Sequence, residues 1–250
     1  MFLSVYFFCY VLSVRDLVAY RGGVSVLEGI SFSASREFVL VVGPNGAGKS
    51  SLFLAILGMV PYRGEICING LCDVRRVGRV GYVPQFLKVE TNATVWEYVY
   101  LPARFRNGRD ARRAAEEALR LVELSRLRDR PLMSLSGGEL QRAAIARSLA
   151  VGGDVLLLDE PLANVDPGGR LELISLLREL KRGRTVLMTS HELTLPLDLA
   201  DKILLLNRRV VAYGGVDEVM REEVLRQVYR FVRVAKTSFG YVCATEDYGH

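Results

Sequence analysis

Gly43-Pro44-Asn45-Gly46-Ala47-Gly48-Lys49-Ser50 sets three glycines just ahead of an adjacent ammonium and hydroxyl. Glycines let backbone N–H groups converge on a phosphate, and the start of a helix adds positive potential. In that frame Lys49 reaches the β- and γ-phosphates of a nucleotide and Ser50 offers its hydroxyl to Mg²⁺. Every fixed position of the phosphate-loop pattern is filled. Further along, Val155-Leu156-Leu157-Leu158-Asp159-Glu160 ends an apolar run on two carboxylates. Strands of a parallel sheet open their C-terminal ends onto the ligand crevice, so both acids are expected beside the phosphates. Asp159 would hold Mg²⁺, directly or through water, and Glu160 would take a proton from an attacking water.

Such residues need a scaffold that brings distant segments to one edge. The apolar run 38–42 stops at Gly43, as a strand buried on both faces would, and 48–57 reads as a helix. Upstream, β-like runs at 12–17 and 24–33 flank a turn at Gly22-Gly23, while 64–68 ends at the hairpin dipeptide Asn69-Gly70. Across 109–124, Ala111, Ala114, Ala115, Ala118, Leu121 and Val122 recur at helical spacing, with Arg112, Arg113, Glu116, Glu117, Arg120 and Glu123 on the other face. The last third alternates: strand 155–158, helix 169–180, strand 185–189, a helix through Leu199, and a hairpin over 203–213. Strands alternating with helices predict a parallel sheet covered on both sides, interrupted here by one helical insertion.

Leu135-Ser136-Gly137-Gly138-Glu139-Leu140-Gln141-Arg142 is a Ser-Gly-Gly turn opening a helix, and so a second anion site distinct from the first. With the phosphate loop and the Asp-Glu strand, this stretch resembles the ABC ATPase family, whose signature motif reads this way. The resemblance implies an α/β fold: a RecA-like P-loop NTPase core with a mainly parallel sheet, an N-terminal antiparallel β-subdomain and an inserted α-helical subdomain. It implies one domain over 1–250, with the core in 1–85 and 155–250 and the helical subdomain in 86–154. It also implies a head-to-tail homodimer around two ATP, in which Ser136, Gly137, Gly138 and Glu139 of one subunit close on the γ-phosphate held by the other. Position by position, Tyr20 matches the aromatic that stacks on adenine, with an ordinary strand aromatic as the alternative. Gln85, after Tyr82-Val83-Pro84, matches the glutamine that meets the metal and links nucleotide state to the helical subdomain. Asp166 anchors Ala163-Asn164-Val165-Asp166, the loop that communicates across the dimer, and His191 matches the γ-phosphate histidine. The implied catalytic set is Lys49, Glu160 and His191, and the implied metal set is Ser50, Gln85 and Asp159. The loop from Gly43 through Pro44, Asn45, Gly46, Ala47, Gly48, Lys49, Ser50 and Ser51 is the implied nucleotide cradle. The motifs run in family order over 12–229.

Half of the 250 residues are apolar and the mean hydropathy is +0.19, which excludes a disordered or fibrous chain. The uncharged stretch 1–14 is shorter than the roughly 20 residues of a spanning helix and lacks the flanks of a signal peptide. A soluble protein is expected, placed by the resemblance at the cytoplasmic face of the membrane; 1–9 is an extension the family does not need. Cys9, Cys67, Cys72 and Cys243 form no CxxC pair, and with only His191 and His250 no zinc or haem constellation arises, so free thiols are expected. The tail after 231 matches no pattern. Of the net charge of +5, residues 104–130 contribute nine arginines against five acidic groups. In the resemblance this segment belongs to the helical subdomain, so the charge does not call for nucleic acid. DNA-repair members insert a long coiled coil between Gln85 and Leu135, where this chain is short, and ribosome-acting members carry two cassettes. The leading expectation is therefore the ATPase subunit of a transporter with separate integral membrane permease subunits, served indirectly by an extracellular solute-binding protein. A separate-chain exporter ATPase and a soluble ATPase acting on nucleic acid or ribosomes are the alternatives. Val95, Trp96, Tyr98, Val99, Tyr100 and Phe105 offer a permease-docking surface or core packing. The runs Tyr82-Val83-Pro84-Gln85, Gly137-Gly138-Glu139-Leu140-Gln141-Arg142 and 200–207 resemble importers of metal ions or metal chelates.

Overall fold

Glycine turns and β-branched runs build the first sheet. In the computed structural model, which describes residues 10–72, 80–87, 91–194, 196–237 and 240–246, β1 (Leu12–Arg21) turns at Gly22-Gly23 into β2 (Val24–Ala34). After β3 (Phe38–Val42), β4 (Tyr62–Ile68) returns to the free edge of β1, giving an antiparallel sheet in the order β2-β1-β4. Asn69 and Gly70 both take positive φ, forming the tight turn across which Ile68 and Leu71 bond to each other. That turn sets Cys67 and Cys72 opposite one another, and a disulfide joins them. The expectation of free thiols is corrected for this pair, because only the turn, and no spacing motif, reveals that they meet. Cys243 is the free cysteine among the described residues; Cys9, the extension 1–9 and His250 lie outside them.

The second sheet has six strands in the order β5-β6-β7-β3-β8-β9. β5 (Val80–Val83), β6 (Val155–Leu158), β7 (Thr185–Ser190), β3 and β8 (Lys202–Asn207) run parallel, and β9 (Arg209–Gly215) closes the edge antiparallel. β3, β6, β7 and the middle of β8 bury both faces, which is why they read as apolar runs. Val39, Val41, Leu157, Leu187 and Leu204 share one core with α1 (Lys49–Ile56) and the antiparallel sheet. Phe38, Leu40, Val42, Leu156, Leu158 and Met188 share the other with the remaining helices.

Between β5 and β6 lie α2 (Val95–Asn107), α3 (Ala111–Leu121) and α4 (Gly137–Val151). Capping boxes start two of them, Thr94 with Glu97 at α2 and Ser136 with Glu139 at α4. α3 buries Ala111, Ala115, Ala118 and Leu119. Leu121, expected inward, is exposed, because it falls roughly a quarter-turn off that stripe and Leu119 takes the inner position. Of the aromatic cluster, Val95 and Val99 are core and Trp96 stacks on Tyr100 at 5.0 Å, while Phe105 is 92% exposed. α5 (Pro167–Leu180) begins at Asp166. The helix expected to run through Leu199 is reduced to one 3₁₀ turn, Leu197–Leu199, behind Pro196, which has no N–H to give a longer helix. The tail forms a hairpin, β10 (Phe231–Thr237) with β11 (Gly240–Glu246). Thr194 Oγ1 ties it to the loop after β7, donating to the Cys243 carbonyl at 3.1 Å and accepting from its N–H at 3.3 Å. No helix among the described residues is long and apolar enough to cross a membrane.

Candidate nucleotide site

β3 ends at Gly43, and the chain passes through 43–48 into α1. Neighbouring strands fix this loop closely. The Arg208 N–H, in the turn between β8 and β9, donates to the Ala47 carbonyl at 2.9 Å. Gly48 sits at φ +95°, where a Cβ would lie 2.5 Å from Leu27 Cδ2 and 3.1 Å from the Val26 carbonyl oxygen. The antiparallel sheet therefore reaches the loop through β2. Tyr20 pairs with Ser25 on that same hairpin, half-buried, with the Arg63 guanidinium 6.0 Å from its ring centre.

Lys49 is buried, and its ammonium donates to the Gly43 and Pro44 carbonyls at 2.8 and 3.2 Å. Ser50 Oγ donates to Asp159 Oδ1 at 3.1 Å across the gap between α1 and the end of β6. The same carboxylate oxygen accepts from Thr189 Oγ1 at 2.7 Å. Asp159 is 3% exposed, so these donors replace the water it has lost. Burial, reinforced by the Asp159 charge, pushes the neighbouring Tyr82 phenol up to about 12. A hydroxyl and a carboxylate are hard oxygen donors, and together with water and phosphate they suit Mg²⁺.

Glu160 follows β6 at φ +46°, and its N–H donates to Thr189 Oγ1 at 2.8 Å. Its Oε2 accepts from Gln85 Nε2 at 3.0 Å and lies 3.1 Å from His191 Nδ1. Segments following β5, β6 and β7 thus converge on one carboxylate. Gln85, expected with Ser50 and Asp159 at the metal, bonds through its amide nitrogen to Glu160, and its backbone carbonyl accepts from Asn164 Nδ2 at 3.5 Å.

The Ser136 turn stands outside that cluster. Ser136 Oγ accepts from the Glu139 N–H at 3.2 Å, and the Glu139 carboxylate accepts from the Ser136 N–H at 2.8 Å, which holds it below its ordinary value. A Cβ at Gly137 would lie 3.0 Å from the Asn164 carbonyl and one at Gly138 3.7 Å from Val165, so the turn packs on the loop ahead of α5. Asp166 caps that helix, accepting from the Gly169 N–H at 3.1 Å. Sequence reasoning singled out every partner in the central cluster except Thr189, whose signal is a hydroxyl interrupting the apolar run of β7.

The family model described as "ABC transporter" matches residues 27–163. A manganese transport system ATP-binding protein from Halalkalibacterium halodurans is 33% identical over 231 residues, covering 88% of this chain and 92% of that protein. An energy-coupling factor transporter ATP-binding protein from Methanoculleus marisnigri is 40% identical over 233 residues, covering 87% and 84%. Among solved structures, one described as an inward-facing conformation of a metal-chelate type ABC transporter superposes with a TM-score of 0.80 at 26% identity, covering 95% of this chain and 97% of that one.

Proposed function

Because the chain belongs to the ABC transporter family as an ATP-hydrolysing subunit, we propose that it binds Mg²⁺-ATP on the 43–50 loop and hydrolyses it with Glu160 as general base. The observation that carries this reading is the single carboxylate oxygen of Glu160 bonded at once to Gln85 and beside His191, next to the Ser50–Asp159 pair. Lys49 exchanges its loop carbonyls for phosphate oxygens, and Ser50, Asp159 and Gln85 would hold the Mg²⁺. The chemistry such an ion would supply there is neutralisation of phosphate charge. Glu160 accepts the proton of the attacking water, while Gln85 and His191 fix where its carboxylate points. Tyr20 stacks on the base.

The second half of the site comes from a second copy. Ser136 Oγ accepts from Glu139, so its own proton remains to donate, and the first amides of α4 add to it. Two chains placed head to tail would close these turns on each other's γ-phosphates, with Asp166 holding the loop between them.

A family subunit without a spanning helix among its described residues works against membrane permease subunits. We assign that contact to the segment 86–154, which places the chain peripherally at the cytoplasmic face, with an extracellular solute-binding protein acting at a distance. The manganese relative and the metal-chelate type structure support a metal ion or metal chelate as cargo. Lys49→Ala tests the core of the reading: ATP binding should be lost, and unchanged nucleotide affinity would remove the loop assignment.

A further inference from the structure

Thr189 is fully buried in β7, among Val186, Leu187 and Met188. A hydroxyl there needs partners, and it has two of different kinds. It gives its only proton to Asp159 Oδ1 at 2.7 Å and receives the Glu160 N–H at 2.8 Å. One side chain on the neighbouring strand therefore fixes the carboxylate that faces Ser50 and the backbone from which the general base projects. Glu160 holds φ +46°, a left-handed conformation unusual for a residue with a Cβ. Without Thr189 its amide would lose its acceptor, and the Asp159 carboxylate would lose its 2.7 Å donor. Two residues further along the same strand and loop, His191 meets Glu160 from the side-chain end, so this segment grips Glu160 at both backbone and carboxylate.

We propose that Thr189 is a positioning residue for ATP hydrolysis, aligning Asp159 and Glu160 through one bifunctional hydroxyl. This rests on the reading of Glu160 as general base.

The test uses the full chain and compares Thr189→Val, which keeps the shape and removes the hydroxyl, with Thr189→Ser, which keeps the hydroxyl. Steady-state ATPase assays should show kcat down by ~10- to 100-fold in Thr189→Val, the scale of a small misplacement of reacting groups. KM for ATP and binding of a fluorescent ATP analogue should stay within ~2-fold, and Thr189→Ser should recover most of the turnover. Should Thr189→Val fail to fold, Thr189→Cys, a poor hydrogen-bond donor of similar size, carries the same expectation. Wild-type kcat in a folded Thr189→Val or Thr189→Cys, or a loss that Thr189→Ser does not relieve, overturns the proposal. Glu160→Gln runs alongside. If it hydrolyses normally, the general-base reading fails and takes this role with it; if it is inactive while Thr189→Val is not, only the role of Thr189 fails.

Discussion

Replacing Gly48 with alanine is a demanding test of how tightly the nucleotide loop is held. Gly48 occupies φ +95°, ψ +12°, a left-handed conformation that costs an L residue about 1–2 kcal/mol. Its new methyl would stand 2.5 Å from Cδ2 of Leu27, itself fully buried, and 3.1 Å from the Val26 carbonyl. Overpacking of this kind costs a further ~1–3 kcal/mol. The sum, about 2–5 kcal/mol, is a drop in melting temperature of roughly 4–20 °C for a domain of this size. Gly46 supplies the control, since it also has positive φ, +78°, but nothing within 4 Å of an added methyl. Gly46→Ala should cost only the backbone share, about 1–2 kcal/mol. Nucleotide-free thermal unfolding followed by circular dichroism separates the two. Equal shifts would refute the claim that β2 buttresses the loop at Gly48, as would a Gly48→Ala melting point within about 2 °C of the wild type.

Alanine at Phe105 and Phe86, which are 92% and 69% exposed, should leave isolated ATPase activity intact and uncouple it from a co-purified permease. Alanine at Val99 should instead lower stability by about 1–3 kcal/mol, because it is core, and a coupling defect at unchanged stability would contradict that assignment. The C-terminal hairpin should loosen in acid. Asp217, in the helical turn 216–219 after β9, accepts from Lys236 Nζ of β10 at 2.7 Å, and Lys236 first, then Tyr241, hold its carboxylate below its ordinary 3.8. A carboxylate lowered by folding contributes fully above the ordinary value, and that contribution is lost as pH falls below it. Amide exchange in β10 and β11 should therefore rise below that pH, and Asp217→Asn should raise it already at pH 7; protection unchanged in both would dismiss the tether.

The chemistry was legible where spacing alone encodes it. A phosphate loop is a local pattern whose glycines, ammonium and hydroxyl serve one ligand, and Asp159 and Glu160 close a strand too apolar to be anything but buried. Glu160 and His191 each follow an apolar run in the sequence, but that they meet is visible only in the strand order, which sets β6 beside β7. Thr189 was not legible, since threonine in a strand satisfies β propensity and its two bonds come from a different strand. The Cys67–Cys72 bridge depended on a turn, not on a spacing. The helix expected through Leu199 gives way to a single turn behind Pro196, where proline's missing donor decides the outcome. Leu121 reads as inward because periodicity gives a stripe without fixing its centre, which Leu119 reveals. In the tail, Val232 is buried and Arg233 exposed, an alternation present in the sequence but too short to rise above its polar surroundings.

Glu160→Gln measures the central claim most directly. The substitution keeps the shape of the side chain and removes its capacity to accept a proton. MgATP affinity should be unchanged, steady-state hydrolysis should fall by about 10²–10⁴-fold, and gel filtration with light scattering should show an ATP-dependent dimer that persists because its nucleotide is not consumed. A variant that hydrolyses ATP at the wild-type rate and stays monomeric in ATP would contradict both the general base and the closed pair of sites.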